Sequence, residues 1–167
     1  MAVLRGQRVL IRALAAADVP QIAAIQAQPS IARWWGQPDD AKLQGKAAGT
    51  DDCTVFAIEL GGEVVGLVQY YEDEGDTYRH AGIDLFLSEH VQGQGLGTDA
   101  VRTMASHLVH DRGHHRLVID PAADNHAAIR AYEKAGFRPV GVMRQSERLP
   151  GGEWHDGLLM DLLADEL

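Results

Sequence analysis

Three glycines alternate in Val91-Gln92-Gly93-Gln94-Gly95-Leu96-Gly97-Thr98, directly ahead of a long helical pattern. Glycine adopts backbone conformations that other residues resist, and it lets a ligand approach the main chain. The unpaired N–H groups of the following helix, with its dipole behind them, then face that ligand. The combination is a phosphate cradle built from backbone. It predicts that Gln92, Gly93, Gln94, Gly95, Leu96, Gly97 and Thr98 hold the pyrophosphate of a nucleotide-like cofactor. Asp84 stands in the apolar strand pattern Gly82-Ile83-Asp84-Leu85-Phe86, and Asp120 ends the apolar run Leu117-Val118-Ile119. A carboxylate in such a setting is either paired or placed for a ligand. Strand ends beside a crevice are where α/β sheets put functional groups. Both are candidates to bind ammonium groups or relay a proton. Tyr132 lies on a helix beyond the cradle.

The cradle admits three cofactor classes. A P-loop is excluded, because no Gly-Lys-Ser/Thr ends the run. A dinucleotide fingerprint fits in part, as Gly95-x-Gly97-x-x-Ala100 with Asp120 ending the next apolar run. Against it, Ser88 to Gln94 separate the glycines from Leu85-Phe86-Leu87, and hairpin-like strands rather than βα units precede them. The third class rests on resemblance. Gln92-x-x-Gly95-x-Gly97 resembles the Gln/Arg-x-x-Gly-x-Gly/Ala signature of the GNAT N-acetyltransferase superfamily. Asn125-His126-Ala127-Ala128-Ile129-Arg130-Ala131-Tyr132-Glu133-Lys134-Ala135-Gly136-Phe137 resembles that superfamily's second signature, Asn-x-x-Ala-x-x-x-Tyr-x-Lys-x-Gly-Phe. Both occur, in this order and about thirty residues apart.

The resemblance implies acetyl-CoA as cosubstrate and direct transfer in a ternary complex. It implies that backbone near Phe86 and Leu87 bonds the pantetheine arm and the developing oxyanion, that Asn125 also bonds the arm, and that Tyr132 points at the sulfur. The implied fold is α/β (α+β in some schemes): a mixed six- or seven-stranded sheet, splayed at the fourth and fifth strands and flanked by helices. Trp34-Trp35-Gly36, Gly82-Ile83-Asp84, Asp120-Pro121 and the Tyr132 to Phe137 segment narrow the resemblance to the aminoglycoside 6′-N-acetyltransferases. In that group, carboxylates matching Asp84 and Asp120 bind the antibiotic's amines and the Trp-Trp-Gly segment shapes the pocket. Asp156 is aligned loosely with a further acceptor carboxylate, and Glu72 falls in the acidic loop where relatives line the acceptor mouth. Trp35, Tyr70, Tyr71 and Tyr78 are the aromatic candidates to pack on sugar faces. Gln94 stands where members of that group carry lysine. Within this resemblance Asp84, or water held by it, is the base and Tyr132 the acid. The Trp-Trp-Gly segment also resembles acetyltransferases of hydroxylysine side chains in siderophore synthesis. A protein N-terminus as acceptor and a non-catalytic CoA-binding sensor complete the alternatives.

Composition bounds these expectations. The 167 residues predict a single domain over 1–167, and 46% apolar content argues against global disorder. A formal charge of −9 disfavours nucleic acid and favours a cationic small-molecule amine as partner. Cys53 is the only cysteine, so no intrachain disulfide forms. Arg5, Arg8 and Arg12 interrupt the N-terminal apolar runs, and no run reaches the length of a membrane span. The expected setting is cytoplasmic without membrane association, as monomer or homodimer. His110, His114 and His115 straddle Gly113 at a helix end, where cationic residues suit the dipole. With no matched Cys or Glu pair beside them, no metal is expected.

The elements that must position these residues follow from pattern and punctuation. A strand is expected over Val3 to Leu14, a helix from Asp18 to about Pro29, an interruption at Arg33-Trp34-Trp35-Gly36, and a short second helix after Asp39-Asp40. Gly45 to Asp52 is expected to be loose. Val55 to Leu60 and Val64 to Tyr71 form a hairpin through Gly61-Gly62, and Tyr78 to Leu87 is the next strand. Helices are expected from Gly95 to Arg112 and from Asn125 to Ala135, with strands at Leu117 to Ile119, Phe137 to Val142 and Trp154 to Leu163.

Overall fold

The structure, a computed structural model, describes residues 3–167. One sheet carries eight strands in the order β1-β2-β3-β4-β5-β6-β8-β7. Leu4–Arg5 (β1), Leu10–Ala13 (β2), Thr54–Leu60 (β3), Glu63–Asp73 (β4) and His80–Leu87 (β5) pair antiparallel in succession. Arg116–Ile119 (β6) joins β5 in parallel. Trp154–Leu163 (β8) and Arg138–Arg148 (β7) complete the sheet antiparallel. Val19–Gln26 (α1), Pro29–Trp35 (α2) and Asp40–Ala48 (α3) lie between β2 and β3 in sequence; Leu96–Ser106 (α4) follows β5, and His126–Ala135 (α5) follows β6.

Strand alternation divides the core into two layers. On one face Val68, Ile83, Leu117 and Met160 meet Ala100, Met104 and Leu108 from α4 and its continuation. On the other, Val55, Ala57, Leu67 and Phe86 meet Ile22, Ile25, Ile31 and Leu43 from α1 to α3. Local signals set the helix ends. Asp39 caps α3 by accepting from the Lys42 N–H, and Asn125 caps α5 by accepting from the Ala128 N–H. Gly136 ends α5 in the left-handed conformation that glycine favours.

Several expectations shift. The single strand foreseen over Val3 to Leu14 breaks at Gly6-Gln7-Arg8, so the sheet has eight strands rather than six or seven. The break has a cause: Asp99 on α4 accepts from the N–H groups of Gln7, Arg8 and Val9 at 2.9, 2.8 and 3.0 Å. Counted from β2, the fourth and fifth strands are β5 and β6. Asp18 does not cap α1 with its side chain; its carboxylate instead takes Arg12 in a forked pair at 2.7 and 2.9 Å. Trp34 and Trp35 close helix α2 instead of interrupting the chain, and α3 reaches Ala48 through a stretch expected to be loose. After Ser106 the α4 helix widens into a π turn over His107–Asp111. β7 continues six residues past Val142, to Arg148.

The parallel junction organises the site. β5 and β6 share only the pairs Ala81↔Leu117 and Gly82↔Val118. Beyond them the strands part, while β6 stays fully paired to β8 from Arg116↔Leu163 to Ile119↔Met160. The β5 edge from Ile83 to Leu87 thus lacks a strand partner toward β6. A register shift against β3 between Ile58 and Glu59 bends the neighbouring β4 at the same level, and Ser88 N–H bonds the Val65 carbonyl at 2.8 Å. Gly66 permits this close passage, since a β-carbon there would sit 2.2 Å from the Phe86 carbonyl oxygen. Gly66→Ala is therefore expected to destabilise the fold by about 1–3 kcal/mol, read as a lowered urea midpoint. An unchanged midpoint would show that the strand end tolerates displacement.

Candidate active site

The parted strands open a groove of about 770 Å³. Its walls bring together Gln92, Gly93, Gly95, Gly97 and Thr98 from the cradle with Leu85, Phe86 and Leu87 from β5. Asn125 and Tyr132 join them from α5, and Trp34 and Trp35 from α2. Asp84, Asp120, Gln69 and Glu147 line the same groove.

The cradle has the conformation that the glycines allow. Gly93 and Gly95 take φ of +73° and +80°, and no atom lies within 4 Å of where a β-carbon would stand at either. The loop is tied down at both ends: Gln92 Nε2 donates to the Leu87 carbonyl at 2.8 Å, and an Arg8 guanidinium N–H donates to the Gln94 carbonyl at 2.8 Å. Two cradle residues turn away from the groove. Leu96 is buried in the α4 core, and the Gln94 side chain folds back to the His90 carbonyl at 3.2 Å. Thr98 Oγ1 donates to the Ala131 carbonyl at 3.1 Å, binding the start of α4 to α5. This open loop at the N-terminus of an eleven-residue helix fits an anionic phosphate group.

Tyr132 is buried at the groove wall. Burial, and then the negative charges of Asp84 and Asp120, push its phenol well above the ordinary value. It therefore stays a neutral O–H donor at working pH. Trp35 meets Phe86 edge-on with ring centroids 4.9 Å apart, fixing one wall.

Three carboxylates converge at the other end. Burial pushes the Asp84 carboxyl up, and the Gln69 amide and the Lys46 ammonium pull it back. Asp120 is pushed up to about 6, first by loss of water around it and then by Asp84 and Glu147. Glu147 is pushed up by burial and by Asp84, and drawn down by His155. Asp84 thus raises the cost of ionising Asp120 and Glu147, and Glu147 that of Asp120.

Four residues expected at the acceptor end lie elsewhere, for reasons of strand geometry. Tyr70 and Glu72 occupy the face of β4 opposite to Gln69 and Tyr71. Tyr70 packs in the α4 layer against Phe56, and Glu72 takes a forked pair from Arg112 at 3.0 and 2.9 Å and bonds His114 at 2.8 Å. Tyr78 is 79% exposed on the loop before β5. Asp156 caps a bulge in β7, accepting from the Gln145 N–H at 2.8 Å, and lines a separate hollow with Arg144 and Gln145.

That bulge supplies what pattern reasoning missed. The register passes from Met143↔Gly157 to Glu147↔His155, so Arg144, Gln145 and Ser146 together oppose Asp156. Gln145 sits at φ +49° to make the turn. Glu147 emerges beyond the bulge facing the groove. Its signal was weak, because a bulge breaks the period-two alternation that identifies a strand. Gln69 and Tyr71 carry a better signal. They alternate with Tyr70, and Gly82, directly opposite Tyr71, leaves the space that its ring occupies: a β-carbon there would lie 2.1 Å from Tyr71 Cε1.

A mixed sheet that parts at its single parallel junction over a glycine cradle defines the acetyltransferase class of α/β proteins. The chain belongs to the GNAT acetyltransferase family, whose model, "Acetyltransferase (GNAT) domain", matches residues 8–138. It is 33% identical over 132 residues to the Aminoglycoside N(6')-acetyltransferase type 1 of Klebsiella pneumoniae, a match covering 68% of this chain and 65% of that protein. Among solved structures it is similar to the aminoglycoside acetyltransferase AAC(6')-Ib in complex with coenzyme A and kanamycin, at TM-score 0.77 and 27% identity over 95% of this chain and 96% of that one. A GNAT-family acetyltransferase from Bacillus anthracis shares the fold at TM-score 0.85 and 18% identity, covering 99% of this chain and 100% of that one.

The crowding of carboxylates has a cost that pH exposes. The folded-state carboxyl of Asp120 lies above its ordinary value, so the unfolded chain releases that proton first. Ionised Asp120 thus weighs against folding above about pH 6 and ceases to do so below the ordinary carboxylate range, near about 4. Asp120→Asn is expected to raise Tm at pH 8, by on the order of 2 °C, and to leave it unchanged at pH 4. A loss of Tm at pH 8, or an equal gain at both, would contradict the cost of ionising Asp120 in its buried place beside Asp84 and Glu147.

Proposed function

We propose that the protein transfers the acetyl group of acetyl-CoA directly to a primary amine of a polycationic acceptor, the 6′-amine of an aminoglycoside, and so modifies the antibiotic. The observation that carries this reading is the gathering of Asp84, Asp120 and Glu147 in the same groove as the glycine loop that opens α4. Clustered carboxylates with few cations beside them suit a ligand that brings several ammonium groups. The likeness to aminoglycoside acetyltransferases supports the choice of acceptor.

When bound, acetyl-CoA supplies an activated acyl thioester. The residues around it hold and orient. Gly93, Gly95, Gly97 and Thr98 receive the pyrophosphate on backbone N–H groups at the start of α4. The unpaired edge of β5 at Phe86 and Leu87 presents main-chain groups to the pantetheine amides and to the carbonyl oxygen as it gains charge. Asn125 flanks the arm. Asp84, or a water on it, takes the proton that the acceptor ammonium must lose before its nitrogen can attack. The nitrogen–carbon bond forms as the carbon–sulfur bond breaks, and the electron pair leaves with sulfur. Tyr132 donates its O–H proton to that sulfur and is reprotonated by the second proton, which the nitrogen sheds as it becomes an amide. The first, taken from the ammonium, passes from Asp84 to solvent, so ammonium and thioester give amide, thiol and one free proton. Trp34 and Trp35 offer flat apolar surface to sugar rings.

Thiol release from acetyl-CoA in the presence of kanamycin tests this directly. Turnover is expected with kanamycin and is expected to vanish with an analogue carrying a hydroxyl in place of the 6′-amine. Spermidine, hydroxylysine and a short peptide serve as competing acceptors. Turnover on one of these, with none on any aminoglycoside, would overturn the acceptor while keeping the chemistry. Tyr132→Phe should lower kcat by about 100-fold or more while coenzyme A binding, measured by calorimetry, persists. An unchanged kcat would remove Tyr132 from the reaction.

A further inference from the structure

Behind Asp84 runs a chain of donors outside the roles above. Lys46 on α3 donates from Nζ to Gln69 Oε1 at 2.8 Å. Gln69 Nε2 donates in turn to Asp84 Oδ2 at 3.4 Å. Gln69 is buried and stands directly opposite Asp84 in the β4–β5 register. Lys46 is itself largely covered, with 17% of its side chain exposed, and is held from behind by Asp51 Oδ2 at 3.2 Å.

The direction of this chain is fixed by chemistry. An ammonium group only donates, so Gln69 must turn its carbonyl oxygen to Lys46. The amide NH₂ is thereby left to face Asp84. An N–H donor requires a lone pair, which stabilises the ionised carboxylate over the acid. Without the lysine the amide is free to flip and present its oxygen, which would favour the protonated acid instead.

The surroundings of Asp84 give this arrangement its weight. Cys53 approaches from the segment after α3, Tyr71 from β4, Asp120 from the residue after β6, Tyr132 from α5 and Glu147 from β7. When ionised, every one of these groups is negative. Lys46 is the cation set against them at Asp84. It acts from the second layer, with one amide between it and the groove.

We propose that Lys46 is a positioning residue for acetyl transfer: through the Gln69 amide it holds Asp84 as an oriented, unprotonated carboxylate ready for the acceptor ammonium. This inference rests on the proposed role of Asp84 toward the acceptor. It differs from a structural role for Lys46 in what it predicts for the carboxyl of Asp84.

The test is a ¹³C carboxyl titration of aspartate-labelled, ligand-free protein, compared across the parent, Lys46→Met, Gln69→Leu and Lys46→Arg. The Asp84 midpoint is expected to rise by about one pH unit in Lys46→Met and in Gln69→Leu, as removal of an opposite charge or its relay requires. Lys46→Arg keeps charge and donors and should titrate with the parent. Asp99, bonded to backbone at the far side of the cradle, should not move in any variant. The acidic limb of kcat/KM, taken with an amine that the parent acetylates, should rise in parallel with Asp84. An unmoved Asp84 midpoint in Lys46→Met overturns the proposal. A rise in Lys46→Met but none in Gln69→Leu overturns the relay through the amide. An equal shift of Asp99 marks a general disturbance and overturns it too. No acceptor is needed for the titration. Failure on aminoglycosides with a shifted Asp84 therefore leaves the relay standing, whereas aminoglycoside turnover with an unshifted Asp84 removes the relay alone.

Discussion

The arrangement of this molecule depends on a pairing that stops early. β5 and β6 make two register pairs and then separate, although each is held firmly on its other side, β5 by eight pairs with β4 and β6 by four with β8. Parallel pairing is the weaker kind, so it is the junction that yields when two twisted half-sheets meet. The parting leaves main-chain groups of β5 without strand partners, and such groups must find water or a ligand. It also lets α4 begin with its N-terminus at the opening, places α5 along the gap, and gives Tyr132 a buried position at the wall of an open groove.

Electrostatics at the other end of the groove runs against stability. Asp84 pushes the carboxyl groups of Asp120 and Glu147 toward the neutral form, and Glu147 does the same to Asp120. Such clusters persist at functional sites because the rest of the fold over-determines them. Here the surrounding strands are set by two large apolar layers, and a bulge capped by Asp156 carries Glu147 into place. The acidic excess of the whole chain, −9, adds a long-range attraction for cations to the short-range one in the groove.

Much of this was legible in the residues, and the pattern of success is physical. The glycine cradle, the Asn125 cap and the Gly136 stop are local, since each is decided by the conformational freedom or hydrogen bonding of one or two residues. Asp84 and Asp120 stood out because a carboxylate interrupting an apolar strand run is conspicuous at any register. Glu147 did not, because it follows a three-residue bulge that erases alternation. The break between β1 and β2 was hidden for a similar reason: Asp99, which captures three N–H groups there, lies some ninety residues away in sequence.

Tyr70, Tyr71 and Glu72 divide the two kinds of knowledge most sharply. Sequence alone determined that Tyr70 and Tyr71 lie in a strand paired in a hairpin, though it ended that strand before Glu72, and that a glycine-rich loop opens a helix and a carboxylate interrupts an apolar strand run. Those conclusions rest on interactions within a few residues or on motifs that carry their own mechanism. Only the tertiary structure decided which face of β4 looks into the groove, bringing Gln69 and Tyr71 to Asp84 and sending Tyr70 and Glu72 to the α4 side. A strand with apolar and polar residues on both faces does not declare its register, because a slip of one residue exchanges every side chain. Packing against the helices makes that choice, and it is made between parts of the chain that are distant in sequence.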